Sequence, residues 1–230
     1  MKVIVFDVKG KYALFRRNYT TSSSTSYNFP PRTSICGLLG AIMGIQNEAT
    51  QFSKHLRIFD NAHIALRVLV PIRKTTMGVN YAETKSGKNQ RTQIILELIK
   101  EPVYRIYVSE FSQFDQLRNH LENNTCVFTP YLGQAQFIAK ISHVGVFEAK
   151  SVFPPVVVHS VLKITDGIRI QPQENSILLR EQMVLNMDDE RHPVAFASYW
   201  VEKNARPLEV IKHPNIFRIE ELDENICWMD

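Results

Sequence analysis

Arg16 and Arg17 stand at one end of a short segment, and Arg32, Thr33 and Ser34 stand at the other. Between them Thr20 to Ser26 consists only of Ser and Thr, and after them come Gly37, Gly40 and Gly44. The segment reads as a basic strand end, a hydroxyl-rich loop, a Phe29-Pro30-Pro31 step and then a helix. Guanidinium groups, hydroxyls and the open N–H groups of a helix start are the donors that hold phosphate. Thr33 and Ser34 are the candidate N-caps. Ile35, Leu38, Leu39, Ile42 and Met43 recur at helical spacing and form a core stripe. Each glycine in that helix costs roughly 1 kcal/mol relative to alanine. Three such costs imply that something packs close to this backbone. Tight packing on a sheet and the close approach of a nucleotide backbone both satisfy that requirement. The glycines nearest Ser34 are expected to face what approaches the helix start, and Gly44 to face the sheet.

The distribution of charge supports a polyanionic partner more than its total of +4 does. Residues 9–32 carry five cations and no acid. Residues 72–93 hold Arg73, Lys74, Lys85, Lys88 and Arg91 against Glu83 alone. Residues 147–230 hold nine cations and fourteen acids. The positive charge therefore sits in two loop-rich segments of the first half. Solvated loops would give the same pattern without a ligand. Aromatic and apolar side chains are interleaved with these cations: Tyr19, Tyr27 and Phe29 in the first segment, and Met77, Val79 and Tyr81 in the second. Cations that track phosphates beside side chains that stack on bases are the chemistry of single-stranded RNA binding. Plain loop anchoring is the competing explanation for the aromatics.

Other chemistries find little support. The seven histidines are scattered with no HxxxH pair, and Cys36, Cys126 and Cys227 form no CxxC. No cofactor or metal is therefore expected, and a disulfide framework is not supported. A reducing cytoplasm is the simplest setting. The longest apolar run, Ile35 to Ile45, is too short to span a membrane, and the N-terminus is no signal peptide. There is no GxSxG elbow, Walker motif or GxGxxG. Asp188-Asp189-Glu190 reads as a solvated turn, and His63 and His143 as packed strand residues. Metal-free RNA cleavage needs an acid, a base and a cation at one 2′-OH; no histidine precedes His55, so such a set is not indicated.

These residues need a frame. Val3 to Val8 reads as a central strand buried on both faces, which Tyr12 to Phe15 extends past Gly10. The glycine-rich helix follows, and Ala62 to Pro71 is a second strand. Ile72 to Gln93 projects as a hairpin or arm centred on Ser86-Gly87-Lys88-Asn89. Ile94–Ile99 and Tyr104–Val108 are strands. A helix from Ser109 carries Phe111, Phe114, Leu117 and Leu121 and ends near Asn123-Asn124. A turn at Pro130-Tyr131-Leu132-Gly133 leads to a closing strand over Gln136 to Val146. The order is βαββαβ, so the fold class is α+β and ferredoxin-like. Residues 1–146 form that domain, with the arm at about 72–93; residues 147–230 form a smaller β-rich C-terminal region.

Phe29-Pro30-Pro31-Arg32-Thr33-Ser34-Ile35-Cys36-Gly37-Leu38-Leu39-Gly40-Ala41, with Pro130-Tyr131-Leu132-Gly133 before the last strand, resembles the CRISPR-associated Cas-five family of RAMP-type Cascade subunits. The likeness covers the first 146 residues, and the chain's length and style look closest to the type I-B branch. The resemblance implies an RRM-related domain with a β-hairpin thumb at Ile72 to Gln93. It implies a role in holding the 5′ handle of the crRNA through Arg16, Arg17, Arg32, Thr33 and Ser34, with Tyr131 and Gly133 in the loop before the last strand. The implied partners are crRNA, Cas-seven backbone subunits and a large subunit of Cas-eight type, with target DNA met only through the complex and no membrane. The aromatic RNP1 motif of an ordinary RRM is absent. The type I-C branch cuts precursor crRNA with Tyr, Lys and His, a set this chain does not clearly show. A non-catalytic crRNA-binding subunit is the first reading. A metal-independent endoribonuclease and a protein-interaction domain without RNA are the alternatives.

Overall fold

The computed structural model describes residues 1–18, 24–46, 54–82 and 91–230. Tyr19, Lys85 and Lys88 lie outside them. The first part of the chain forms β1 (Lys2–Lys9), β2 (Tyr12–Ala13), α1 (Arg32–Met43), α2 (Lys54–Ile58), β3 (Ile64–Val68), β4 (Lys74–Ala82), β5 (Arg91–Lys100), β6 (Val103–Ser109), α3 (Phe114–Glu122) and β7 (Lys140–Val152). The remainder is built from strands: β8 (Val156–Val158), β9 (Leu162–Lys163), β10 (Arg169–Ile170), β11 (Leu178–Met187), β12 (Pro193–Glu202), β13 (Leu208–Lys212), β14 (Ile216–Ile219) and β15 (Glu224–Ile226). The fold is mixed α and β, with many strands and few helices.

A six-stranded sheet in the order β15-β14-β7-β1-β6-β3 is its backbone. All pairings within it are antiparallel. The apolar run of β1 has its physical reason here, because successive side chains of a strand point to opposite faces and both faces are covered. Ile4, Phe6 and Val8 pack in one cluster with Ile35, Leu39 and Ile42 of α1 and Leu117 and Leu121 of α3. Val3 and Val5 pack on the other face with Tyr107, Ile219, Ile226 and Trp228. Residues of β14 and β15 and Trp228 thus cover this second face, whereas β11 and β12 send Met183, Ala197, Tyr199 and Val201 into the cluster on the helix side. Asp7, the one acid in β1, lies directly across from Arg105 in the β1–β6 register. Arg105 donates two hydrogen bonds to Asp7, at 2.8 and 3.0 Å, and a third at 2.8 Å to Glu224. Arg67 and Tyr107 also donate to Glu224. This network ties β15 to the middle of the sheet.

Four elements differ from the expectation. Tyr12 and Ala13 do not prolong β1. The chain turns near Gly10, and β2 pairs with β5 in a separate sheet, β2-β5-β4. The arm and the run Ile94–Ile99 belong to one antiparallel hairpin, with Lys74 opposite Ile99 and Ala82 opposite Arg91. The short helix α2 had no visible signal, since one turn gives too few residues for a periodic pattern. The second long helix begins at Phe114 rather than at Ser109, because β6 continues through Ser109.

Candidate RNA interface

The start of α1 is built differently from the sequence expectation. Pro31 is the N-cap, in extended backbone, and no side chain caps the helix. The N–H groups of Ser34 and Ile35 donate to the Pro31 carbonyl at 2.9 and 3.2 Å. The Pro31 carbonyl takes two of the N–H groups of the first turns, and the helix begins without a hydroxyl cap. Thr33 and Ser34, half-buried within the first turn, are left to line a cleft.

That cleft has a volume of about 800 Å³. Thr33, Ser34, Gly37 and Gly40 of α1 line it, with His55 of α2 and Phe128, Tyr131 and Gly133 of the loop between α3 and β7. Met187 and Arg191, from the β11–β12 hairpin, line it as well. Four of the residues picked out in the sequence, Thr33, Ser34, Tyr131 and Gly133, therefore meet in one place. Phe128 and Tyr131 are 41% and 46% exposed, enough open ring surface for a base to stack. Burial and the nearby Arg191 hold the His55 pKa below 6.5.

The glycines divide by function. A Cβ built on Gly37 meets nothing within 4 Å. On Gly40 it would lie 3.1 Å from the His55 Cβ. Gly44 is the left-handed C-cap of α1, and a Cβ there would press on Val127 at 2.7 Å. Gly44 therefore packs against the loop after α3, not against the sheet as expected. Gly37→Ala should raise stability by up to about 1 kcal/mol through helix propensity. It should at the same time weaken RNA binding if RNA runs along this face. Thermal unfolding and RNA titration of the same variant check the two halves of that expectation.

The cations have distinct settings. Arg32 does not reach solvent. It is 4% exposed, and its guanidinium donates to the carbonyls of Phe59 at 2.6 Å and Ala62 at 3.0 Å. It ties α1 to the turn after α2, which removes it from the phosphate-binding set. Truncation to alanine would strand two buried carbonyls and an internal space, so Arg32→Ala should cost about 2–4 kcal/mol in chemical denaturation. Tyr27 and Phe29 are 2% and 0% exposed and belong to the core; Phe29 meets Tyr199 edge to face. They anchor the loop and are not stacking platforms.

Arg17 donates to Glu181 at 2.8 Å and to the Ser26 carbonyl, and stacks on Tyr27 with 5.1 Å to the ring centre. Glu181 also accepts from the backbone and side-chain amides of Asn28. Lys74 donates to Glu97 and to the Ser26 carbonyl, each at 2.8 Å. Burial alone would raise the Glu97 carboxyl, but the Lys74 hydrogen bond and charge, with the Ser26 N–H, bring it below the ordinary 4.5. A depressed acid contributes stability above its unfolded pKa and loses it as pH falls through the folded value. Glu97→Gln should therefore flatten part of the acid limb below pH 4.5 in a stability-versus-pH titration.

Arg16, Arg73 and Met77 are exposed, and Val79 is half-buried. Tyr81 and Arg91 sit opposite Thr92 and Ala82 at the far end of the β4–β5 ladder. Gly133 has φ +90°, and its backbone lies on Leu14. The neighbouring Leu132 carbonyl accepts from the Leu14 N–H at 3.1 Å, which fixes the Tyr131 loop to the end of the first strand region. Sequence reasoning missed Phe128, Met187 and Arg191. Only the aromatic character of Phe128 could have signalled it.

Asp188-Asp189-Glu190 is a turn, as expected: the Asp188 carboxylate accepts from the N–H groups of Glu190 and His192. Among the described residues no group of three His, Cys, Asp or Glu is placed to hold a metal ion, and no helix is long and apolar enough to cross a membrane.

Solved structures with this fold are found among CRISPR proteins. A crystal structure of a CRISPR protein from Archaeoglobus fulgidus superposes with a TM-score of 0.56 at 12% identity, covering 98% of each chain. A chain of a CRISPR RNA-guided surveillance complex gives 0.52 at 13% identity, covering 92% of this chain and 94% of that one. A chain of a type III-B Cmr-beta complex, bound to cognate target RNA and AMPPnP, gives 0.53 at 10% identity, covering 91% and 86%. The family described as CRISPR-associated protein (Cas_Cas5) matches residues 3–193, and the chain belongs to that family. No curated protein sequence matches it.

Proposed function

We propose that this chain is a non-catalytic RNA-binding subunit of a type I CRISPR effector complex, of the I-B branch, holding the 5′ handle of the crRNA and capping the backbone filament. The observation that carries this reading is the cleft. It gathers Thr33, Ser34, Tyr131 and Gly133 from segments far apart in sequence, and it offers hydroxyls, open aromatic rings and a cation together. Family membership and the crRNA-guided setting of one structural neighbour support it. We read β1-α1-β3-β6-α3-β7 as the ferredoxin-like, RRM-related unit, supported by the strand order β7-β1-β6-β3. The β4–β5 hairpin is read as the thumb. The division at residue 146 is one of role, with RNA contact concentrated before it.

In this reading Arg16, Tyr19, Thr33, Ser34, Arg73, Met77, Val79, Tyr81, Lys85, Lys88, Arg91 and Tyr131 meet RNA. Arg17 and Lys74 hold the loop through Glu181 and Glu97, and Gly133 holds the Tyr131 loop. Cas-seven and Cas-eight-type subunits are the protein partners, in the cytoplasm. Replacing residues 83–90 by a short Gly-Ser turn should strip crRNA from the purified complex. Unchanged crRNA content would end the handle assignment.

One observation favours a second reading, metal-independent cleavage of precursor crRNA. His55 shares the cleft with Tyr131, and its lowered pKa keeps the ring neutral at pH 7, as a general base requires. Incubation with repeat RNA in EDTA separates the two readings: specific cleavage that His55→Ala abolishes would replace the first by the second.

A further inference from the structure

We infer that the β11–β12 hairpin is a separate wall of the RNA cleft, in which Arg191 contacts a phosphate and Met187 the adjoining base or sugar of one nucleotide. The inference rests on the RNA-binding reading of the cleft.

Residues 147–230 are net acidic, so nothing in the charge pattern draws attention to Arg191. Three acids precede it directly in sequence, and a phosphate would avoid them unless they were engaged elsewhere. All three have partners, and Glu190 faces the His192 ring at 3.6 Å. The Asp188 carboxylate accepts from the Glu190 N–H at 3.0 Å and the His192 N–H at 2.8 Å, and the His192 ring lies 3.3 Å from it. Asp189 pairs with Arg57 of α2 at 3.3 Å. Neither they nor Glu190 line the cleft; Met187 and Arg191 are the hairpin residues that do.

The rest of the lining complements a nucleotide. The cation of Arg191 shares the space with the hydroxyls of Thr33 and Ser34 and the rings of Phe128 and Tyr131, and Gly37 leaves the α1 face open. Methionine is flexible and polarisable and adapts to any base, which suits sequence-tolerant contact. The same strand also reaches the basic loop, because Glu181 in the middle of β11 binds Arg17 and Asn28. One hairpin therefore connects the loop carrying Arg16 with the cleft. Arg191 is exposed at a turn, so its replacement leaves the core intact.

The test is a fluorescence-anisotropy titration of the full chain with a labelled single-stranded RNA of about ten nucleotides, over a series of salt concentrations. Arg191→Ala should weaken binding about tenfold at low salt and reduce the salt slope by about 0.7, the value of one phosphate contact on a single strand. Arg191→Lys should keep the slope. Met187→Ala should weaken binding roughly threefold with the slope unchanged, since an apolar contact releases no counterion. If the wild-type chain binds and Arg191→Ala retains both affinity and slope, the hairpin assignment is wrong and the RNA reading stands. If the wild-type chain does not bind, the RNA reading falls and the hairpin assignment with it.

Discussion

Gly133→Ala is expected to lower stability by about 3–5 kcal/mol, from positive-φ strain and overpacking together. A Cβ at Gly133 would lie 1.9 Å from the Leu14 carbonyl oxygen, far inside van der Waals contact, and φ is +90°. The obstacle is backbone rather than the tip of a flexible side chain, so one of the two segments has to move. What moves carries part of the cleft lining. The Leu132 carbonyl that accepts from Leu14, and the ring of Tyr131 one residue earlier, belong to the same loop. The midpoint of thermal unfolding should fall by roughly 10 °C for a chain of this size. RNA binding measured well below that midpoint should fall too, because the loop no longer presents Tyr131 to the cleft. Unchanged unfolding would mean that the Leu14 contact is not what requires glycine here.

Arg17→Ala should destabilise the protein by about 3–5 kcal/mol, because it leaves a buried carboxylate without its cation. Glu181 is 2% exposed and, among the described residues, keeps the Asn28 amides as hydrogen-bond partners after the change, with Lys74 as a more distant cation. Loss of RNA binding in that single variant would therefore report on folding as much as on contact. The double variant Arg17→Met with Glu181→Leu separates the two, since replacing both members of a buried pair by apolar groups is often neutral or stabilising. Recovered stability with unimpaired RNA binding is expected, in line with Arg17 holding the loop. A stable double variant that fails to bind RNA would make Arg17 a direct contact. The pH dependence has a definite sign. Burial raises the Glu181 pKa above the ordinary 4.5, against the pull of Arg17. The folded state then holds the proton longer than the unfolded state, so this group's contribution to stability declines as pH rises from 4.5 through the raised value. Denaturant titrations across that window should show the decline in the wild-type protein, and Glu181→Gln should remove it.

Much of the frame was legible because hydrophobic period and turn residues are local signals. β1 showed itself as an unbroken apolar run, since a strand covered on both faces has no polar side to show. The stripe from Ile35 to Met43 marked α1, and Asn123-Asn124 marked the end of α3. The cleft lining was legible at Thr33 and Ser34, where residue type alone decides the chemistry, and Tyr131 came through the family resemblance. The site was not legible where a partner far along the chain decides. Arg32 counted as surface charge until the Phe59 and Ala62 carbonyls claimed it, and Arg17 until Glu181 did. Tyr27 and Phe29 have the right chemistry for stacking but sit in the core. Arg191 was hidden for the opposite reason: it lies in a net acidic region and reaches the cleft only through the fold of a long hairpin. A charge census counts residues without their partners, and that accounts for both kinds of error.

The central claim, that the cleft along α1 grips the 5′ handle of a crRNA, is tested most directly by photo-crosslinking the native effector complex and mapping each attached nucleotide to its residue. The account predicts crosslinks from the repeat-derived 5′ end of the crRNA to residues 33–46 and 128–133 of this chain. Crosslinks confined to the spacer or the 3′ end, or none to these two segments while neighbouring subunits crosslink normally, would contradict it.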